Sequence, residues 1–180
     1  GTRAFTMVAR HADRLETYKE VMTANLVRQV AGSLNYDIRR VAGAERLRTR
    51  YWHNLRKFMS EYDFIITPTL GVAAFRLDQP MPVQVNGVPV ERFADVLLST
   101  YAFSVTGLPV MTLPCGWNQA GLPLSLQIIG HRHREGCVLQ VASVYAEAHP
   151  ECFASPNVDV DQAKPVHHDF TVDYSGFVSS

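Results

Sequence analysis

The hydrophobic period of this chain changes sharply near residue 63, and that change limits what it can fold into. Between residues 37 and 62, Ile38, Val41, Ala44, Leu47, Tyr51, Leu55, Phe58 and Tyr62 recur at intervals of three or four, the stripe of one long amphipathic helix. Phe64-Ile65-Ile66-Thr67 is then a continuous apolar run closed by Pro68, which has no N–H to give to a ladder, so it is bounded like a short buried strand. A long helix followed by such a strand points to helices layered on a sheet.

The rest of the chain follows from the same two periods. Residues 10–31 read as an earlier helix, with Leu15, Tyr18, Met22, Leu26 and Val30 on one stripe and Gly32 as its stop; the two helices should pack as a hairpin. Residues 68–82 hold three prolines and read as loop, and Asn86-Gly87 predicts a small hairpin over 83–90. A helix is expected over 91–105. Strands are expected over Val110–Pro114 and Leu124–Ile129, paired antiparallel across the Gly116, Asn118 and Gly121 link, and a last helix over 134–148 carries Val138, Val141 and Tyr145 on one face. The pattern is lost from Pro150, where five acids stand against one lysine, so residues 150–180 read as an irregular acidic tail on a domain spanning 1–149. The fold class is α/β, with a mixed sheet. The three strands are apolar enough to be internal, so the sheet is expected to be incomplete, with open edges that invite self-association or a complementary chain.

Charge removes several function classes. Seventeen basic and seventeen acidic side chains cancel, so no global field draws the chain to nucleic acid or an anionic membrane. No apolar run reaches the roughly 18–20 residues of a membrane span. The three cysteines are odd in number and lack a C-x-x-C spacing, which fits free thiols in a reducing, cytoplasmic setting. The Arg39–Lys57 stretch is basic, but it lies largely on the polar side of an amphipathic helix, where solvated arginine is the simpler reading.

The usual chemical signatures are missing. There is no dinucleotide or P-loop glycine pattern, no H-E-x-x-H and no Gly-x-Ser-x-Gly elbow. His131 and His133 lack a third ligand at metal spacing, and His167-His168 lies in the tail. Cys115 reads as a small buried hydrophobe or, with an unseen base, as a nucleophile. Only Lys19, Lys57 and Lys164 exist, so a Ser–Lys hydrolytic pair is hard to build within this chain.

Three segments carry a family resemblance. Tyr62-Asp63-Phe64-Ile65-Ile66-Thr67-Pro68-Thr69, then Thr106-Gly107-Leu108-Pro109 through Pro114-Cys115-Gly116, then Gly121-Leu122-Pro123-Leu124-Ser125-Leu126-Gln127-Ile128-Ile129-Gly130 resemble, in order and spacing, elements of the amidase signature enzymes. Ser125 departs from the glycine usual there. The resemblance covers about residues 10–149 and implies an amide hydrolase fold, a mixed sheet covered by helices. It also implies an acyl-enzyme mechanism through a Ser nucleophile, a cis-Ser and a Lys, all in a Gly/Ser-rich first half for which this sequence has no counterpart. The chain therefore looks like the C-terminal half of such an enzyme, with no catalytic residue of its own. The resemblance implies no metal or organic cofactor. Its implied partners are a small-molecule amide substrate and a missing N-terminal half or complementary chain, with a homo-oligomer as a further option. This half would supply sheet strands and one substrate-pocket wall within Phe93–Phe103. There Asp95 would accept a hydrogen bond from the substrate or be a solvated helix residue. Thr100, Tyr101 and Phe103 would shape the channel, with Tyr101 and Phe103 equally open to a core role. Gln127 would hydrogen-bond a neighbouring backbone. The alternative from another class is a non-catalytic subunit or fragment acting as an interaction module.

Overall fold

A computed structural model describes residues 2–76, 78–79, 82–91 and 93–154. The chain divides into two compact units, 1–61 and 62–180.

The first unit is helical. Helix α1 spans Thr2–Tyr18, a 3-10 turn covers Lys19–Val21, α2 spans Ala24–Leu34 and α3 spans Ile38–Met59. The single helix expected over 10–31 is therefore two. Thr23 is the reason: its backbone is extended (φ −63°, ψ 144°) and its hydroxyl accepts from the Leu26 N–H at 3.3 Å, so it starts a new helix. The break lets α1 and α2 pack on each other, with Arg3 donating to the Gln29 side chain at 2.9 Å. A helical hairpin thus forms between α1 and α2, its turn falling within the segment read as one helix. Helix α3 lies close to its expected limits because Asp37 caps it, accepting from the Arg40 N–H at 2.7 Å. Its stripe is a correction: Leu55 and Met59 are buried, but Leu47 is 62% exposed and Phe58 50%. Helix α1 touches α3 only sparingly.

The second unit holds the sheet. Strand β1 (Ile65–Pro68) and β4 (Val110–Trp117) flank β5 (Pro123–Ile129), and both pairs are antiparallel. Ile65 and Val110 both face Ile129 in register, which makes β5 the central strand and fills it with fully buried side chains. Strand β4 runs three residues past Pro114. It is an edge strand, where a missing N–H is tolerated, and a bulge falls between Pro114 and Gly116, whose φ of 124° suits glycine. The Asn86-Gly87 turn, with both residues at positive φ, joins the short strands β2 (Gln84–Val85) and β3 (Val88–Pro89). The helix expected over 91–105 is split into α4 (Phe93–Val96) and α5 (Leu98–Ser104) at Leu97, which leaves helical geometry.

Helix α6 (Glu135–Ala148) covers the sheet. Leu113 and Ile128 from the strands meet Val138 and Ala142 from the helix, flanked by Phe64, Met111, Leu126, Val141 and Tyr145. Gly130 permits this approach, since a Cβ there would collide with Val138 Cγ2. A 3-10 turn at Pro150–Phe153 packs on β4 and α6, with Tyr145 edge-on to Phe153 at 6.5 Å, so the first residues assigned to the tail are ordered. Residues 155–180, the rest of that tail, lie outside the described residues. Among the described residues no helix is long and apolar enough to cross a membrane.

Candidate functional site

The C-terminal end of β1 is tied to α5 by a knot of hydroxyls and one amide. Strand β1 alternates, so Thr67 and Thr69 turn inward while Ile66 and Pro68 are exposed. Opposite Thr67 in register stands Gln127, only 1% exposed. Its Nε2 donates to Thr67 Oγ1 at 2.9 Å and to the Ser99 carbonyl at 3.1 Å. A buried amide needs such partners, and these weld the central strand to β1 and α5 at once. The Thr69 carbonyl accepts from two hydroxyls, Ser99 at 2.7 Å and Thr100 at 2.8 Å, and the Thr69 N–H donates to the Ser125 carbonyl at 3.0 Å. Thr69 Oγ1 is buried without a hydrogen-bond partner, a donor and acceptor left over beside an otherwise satisfied cluster.

The residues singled out in the sequence are placed unevenly around this knot. Thr100 belongs to it. Phe103 is buried, 8% exposed. Tyr101 is half-buried on α5, and Asp95 is half-buried on the separate short helix α4. Gln127 hydrogen-bonds a neighbouring backbone, the Ser99 carbonyl. Sequence reasoning missed Thr67, Thr69 and Ser99 as members of one cluster. The available signal was the alternation of two threonines in a strand-ending Thr-Pro-Thr.

Other candidates are quiet. Cys115 sits at the β4 bulge, and burial pushes its thiol above the usual range, with the nearby Cys152 pushing the same way. A thiol held protonated is a poor nucleophile. Tyr145 Oη lies 3.9 Å from Cys152 Sγ, and all three cysteines are unpaired and half-buried. Among the described residues no group of three His, Cys, Asp or Glu side chains could hold a metal. On α3, Arg48 pairs with Glu45 at 2.7 Å and Arg40 lies 4.0 Å over the Tyr36 ring. Lys19 and Lys57 belong to the helical unit, and residues 62–154 contain no lysine.

A family model described as Amidase matches residues 6–139. The chain is 33% identical over 107 residues to a glutamyl-tRNA(Gln) amidotransferase subunit of Thermodesulfovibrio yellowstonii, covering 59% of this chain and 21% of that protein. It is 31% identical over 110 residues to an acylamidase of Rhodococcus erythropolis, covering 61% and 23%. The aligned part thus spans less than a quarter of the length of these relatives. Among solved structures, a bacterial aryl acylamidase of the amidase signature family superposes with a TM-score of 0.69 at 20% identity, covering 83% of this chain and 31% of that one. A 6-aminohexanoate cyclic dimer hydrolase superposes at 0.68 and 20% identity, covering 86% and 34%. At such identity the likeness is one of fold.

Proposed function

The chain belongs to the amidase family, and on that premise we propose that it is the sheet-and-wall portion of an enzyme that hydrolyses carboxylic amides to acid and ammonia or amine. In this reading β1, β5 and β4 are part of a larger mixed sheet, and the end of β1 with α4 and α5 lines the substrate pocket. Thr100 and Tyr101 would shape the channel, Phe103 would back it, and Asp95 would accept a substrate N–H. The hydrolytic step would run through a Ser–cis-Ser–Lys acyl-enzyme supplied by a preceding segment or a second chain, with backbone N–H groups holding the oxyanion.

The observation that carries the reading is the knot at Thr69. The strand end, the helix bearing Thr100 and the central strand are fixed together, while one buried hydroxyl, Thr69 Oγ1, has no partner. Rigid support with an unspent polar atom is what a substrate wall requires.

The 180-residue chain alone should leave aryl and aliphatic amides at their background rate and take no label from a serine-directed fluorophosphonate. A labelled serine within these residues, with turnover, would overturn the division of labour proposed here. A second reading, a non-catalytic interaction module, is favoured by the outer edges of β1 and β4, which no strand among the described residues pairs and where Ile66 is 61% and Val110 40% exposed. Under that reading the chain binds a partner but gives no amide turnover in any assembly.

A further inference from the structure

The opposite end of β1 carries different chemistry. Asp63 and Phe64 precede the strand, and the loop His131–Arg134 follows its neighbour β5, so a cleft of about 570 Å³ opens there, well within the range of small-ligand sites. Four strand residues, each rising about 3.3 Å, separate it from Thr69. Phe64 and Val141, both half-buried, give it an apolar wall. Arg132 and Arg134 line its rim, brought together by a tight turn in which the Arg134 N–H donates to the His131 carbonyl at 3.0 Å and His133 takes a φ of 61°. The His131 ring is tethered, its Nε2–H donating to the Tyr62 carbonyl at 3.0 Å. No carboxylate pairs with Arg134 among the described residues, and Asp63 is the one acid in the lining.

We propose that this cleft binds small carboxylates that carry an apolar body, as a site separate from the amide pocket. A guanidinium fork matches a carboxylate in plane and geometry. An exposed ion pair is weak by itself, so occupancy needs the Phe64 and Val141 wall as well as the charge. That requirement selects a ligand with an apolar half and an anionic half. Asp63 opposes the anion and sets an upper limit on its affinity.

Cys137 lines the same cleft and is half-buried, while Cys115 and Cys152 are absent from its lining and provide internal references. The test is alkylation of the native chain by N-ethylmaleimide, read per cysteine by peptide mass spectrometry, with benzoate as the probe. Labelling of Cys137 should slow as benzoate is raised, following 1 + [L]/Kd, to about threefold at twice Kd. The two reference cysteines should label at unchanged rates. Benzyl alcohol, the same ring without charge, and inorganic phosphate, charge without the ring, should each protect far less. Arg134→Gln should abolish protection, measured against that variant's own unliganded rate, and Asp63→Asn should strengthen it. Absence of protection, equal protection by benzyl alcohol or phosphate, or protection that survives Arg134→Gln would each overturn the proposal. None of these outcomes depends on amide turnover.

Discussion

Two apolar stripes of this molecule look alike in sequence and differ in structure. The face of β5 and α6 is closed: Ile128 is 1% exposed, Val138 3%, Leu113 and Ala142 5%. Helix α3 has a stripe just as regular, yet Ile38 is 79% exposed, Leu47 62% and Phe58 50%. The period of a stripe reports that a face needs cover. It does not report where that cover is encoded. For β5 the cover is α6, a few residues away in sequence. For most of α3 nothing among the described residues of its own unit provides it.

The largest effect expected from this contrast is at Ile128. Ile128→Ala should cost about 2–5 kcal/mol in urea unfolding, since the site is sealed by strand and helix. Leu47→Ala should stay within about 0.5 kcal/mol of neutral at micromolar protein. Equal losses would break the comparison and mean that α3 is covered in solution. Should the cost at Leu47 instead grow with protein concentration, that cover is a second copy of the chain, and sedimentation would show it.

A smaller effect belongs to the knot. Gln127→Leu keeps roughly the size of the side chain but leaves the Thr67 hydroxyl and the Ser99 carbonyl without their buried donor. The expected loss is about 1–3 kcal/mol. Thr100→Val should lose less, about 0.5–1.5 kcal/mol, because Ser99 still donates to the Thr69 carbonyl. Parity between the two variants would mean that the Thr100 hydroxyl ties α5 to β1 as strongly as the Gln127 amide does.

These two sites also show what sequence can tell. The strands, the Asn86-Gly87 hairpin, helix α6 and the extent of α3 were readable because each has a local cause: alternation or a continuous apolar run, a turn dipeptide, a helical stripe. The split at Thr23 was hidden by apolar spacing that runs smoothly across it, and only the capping hydroxyl decides otherwise. The helix expected over 91–105 failed at Leu97, where no local signal marks the break. Thr100 was singled out as a pocket residue. Its bond to Thr69, 31 residues away, is a product of topology that no spacing rule contains. Exposure along α3 was illegible for the same reason, since burial is a property of the neighbours.

The smallest expected effect is on the pH dependence of the closed region, and its sign follows from Cys115. Burial raises that thiol above its ordinary 9.0, and Cys152 adds to the rise. A raised thiol pKa means that the folded state holds its proton at pH values where the unfolded chain has released it. The resulting stability is complete below pH 9 and is lost as pH climbs from there through the folded-state value. Tyr145, raised from 10.0 chiefly by burial and next by Cys152, adds a loss of the same sign at higher pH. The urea midpoint should therefore be flat from pH 7 to 8.5 and decline above about 9. Cys115→Ala should flatten the first part of that decline and, because Cys115 also contributes to the rise at Tyr145, trim the tyrosine part without removing it. A decline in Cys115→Ala that matches the unsubstituted chain would assign the alkaline loss to groups other than Cys115, and burial at the bulge would then have no consequence for pH stability.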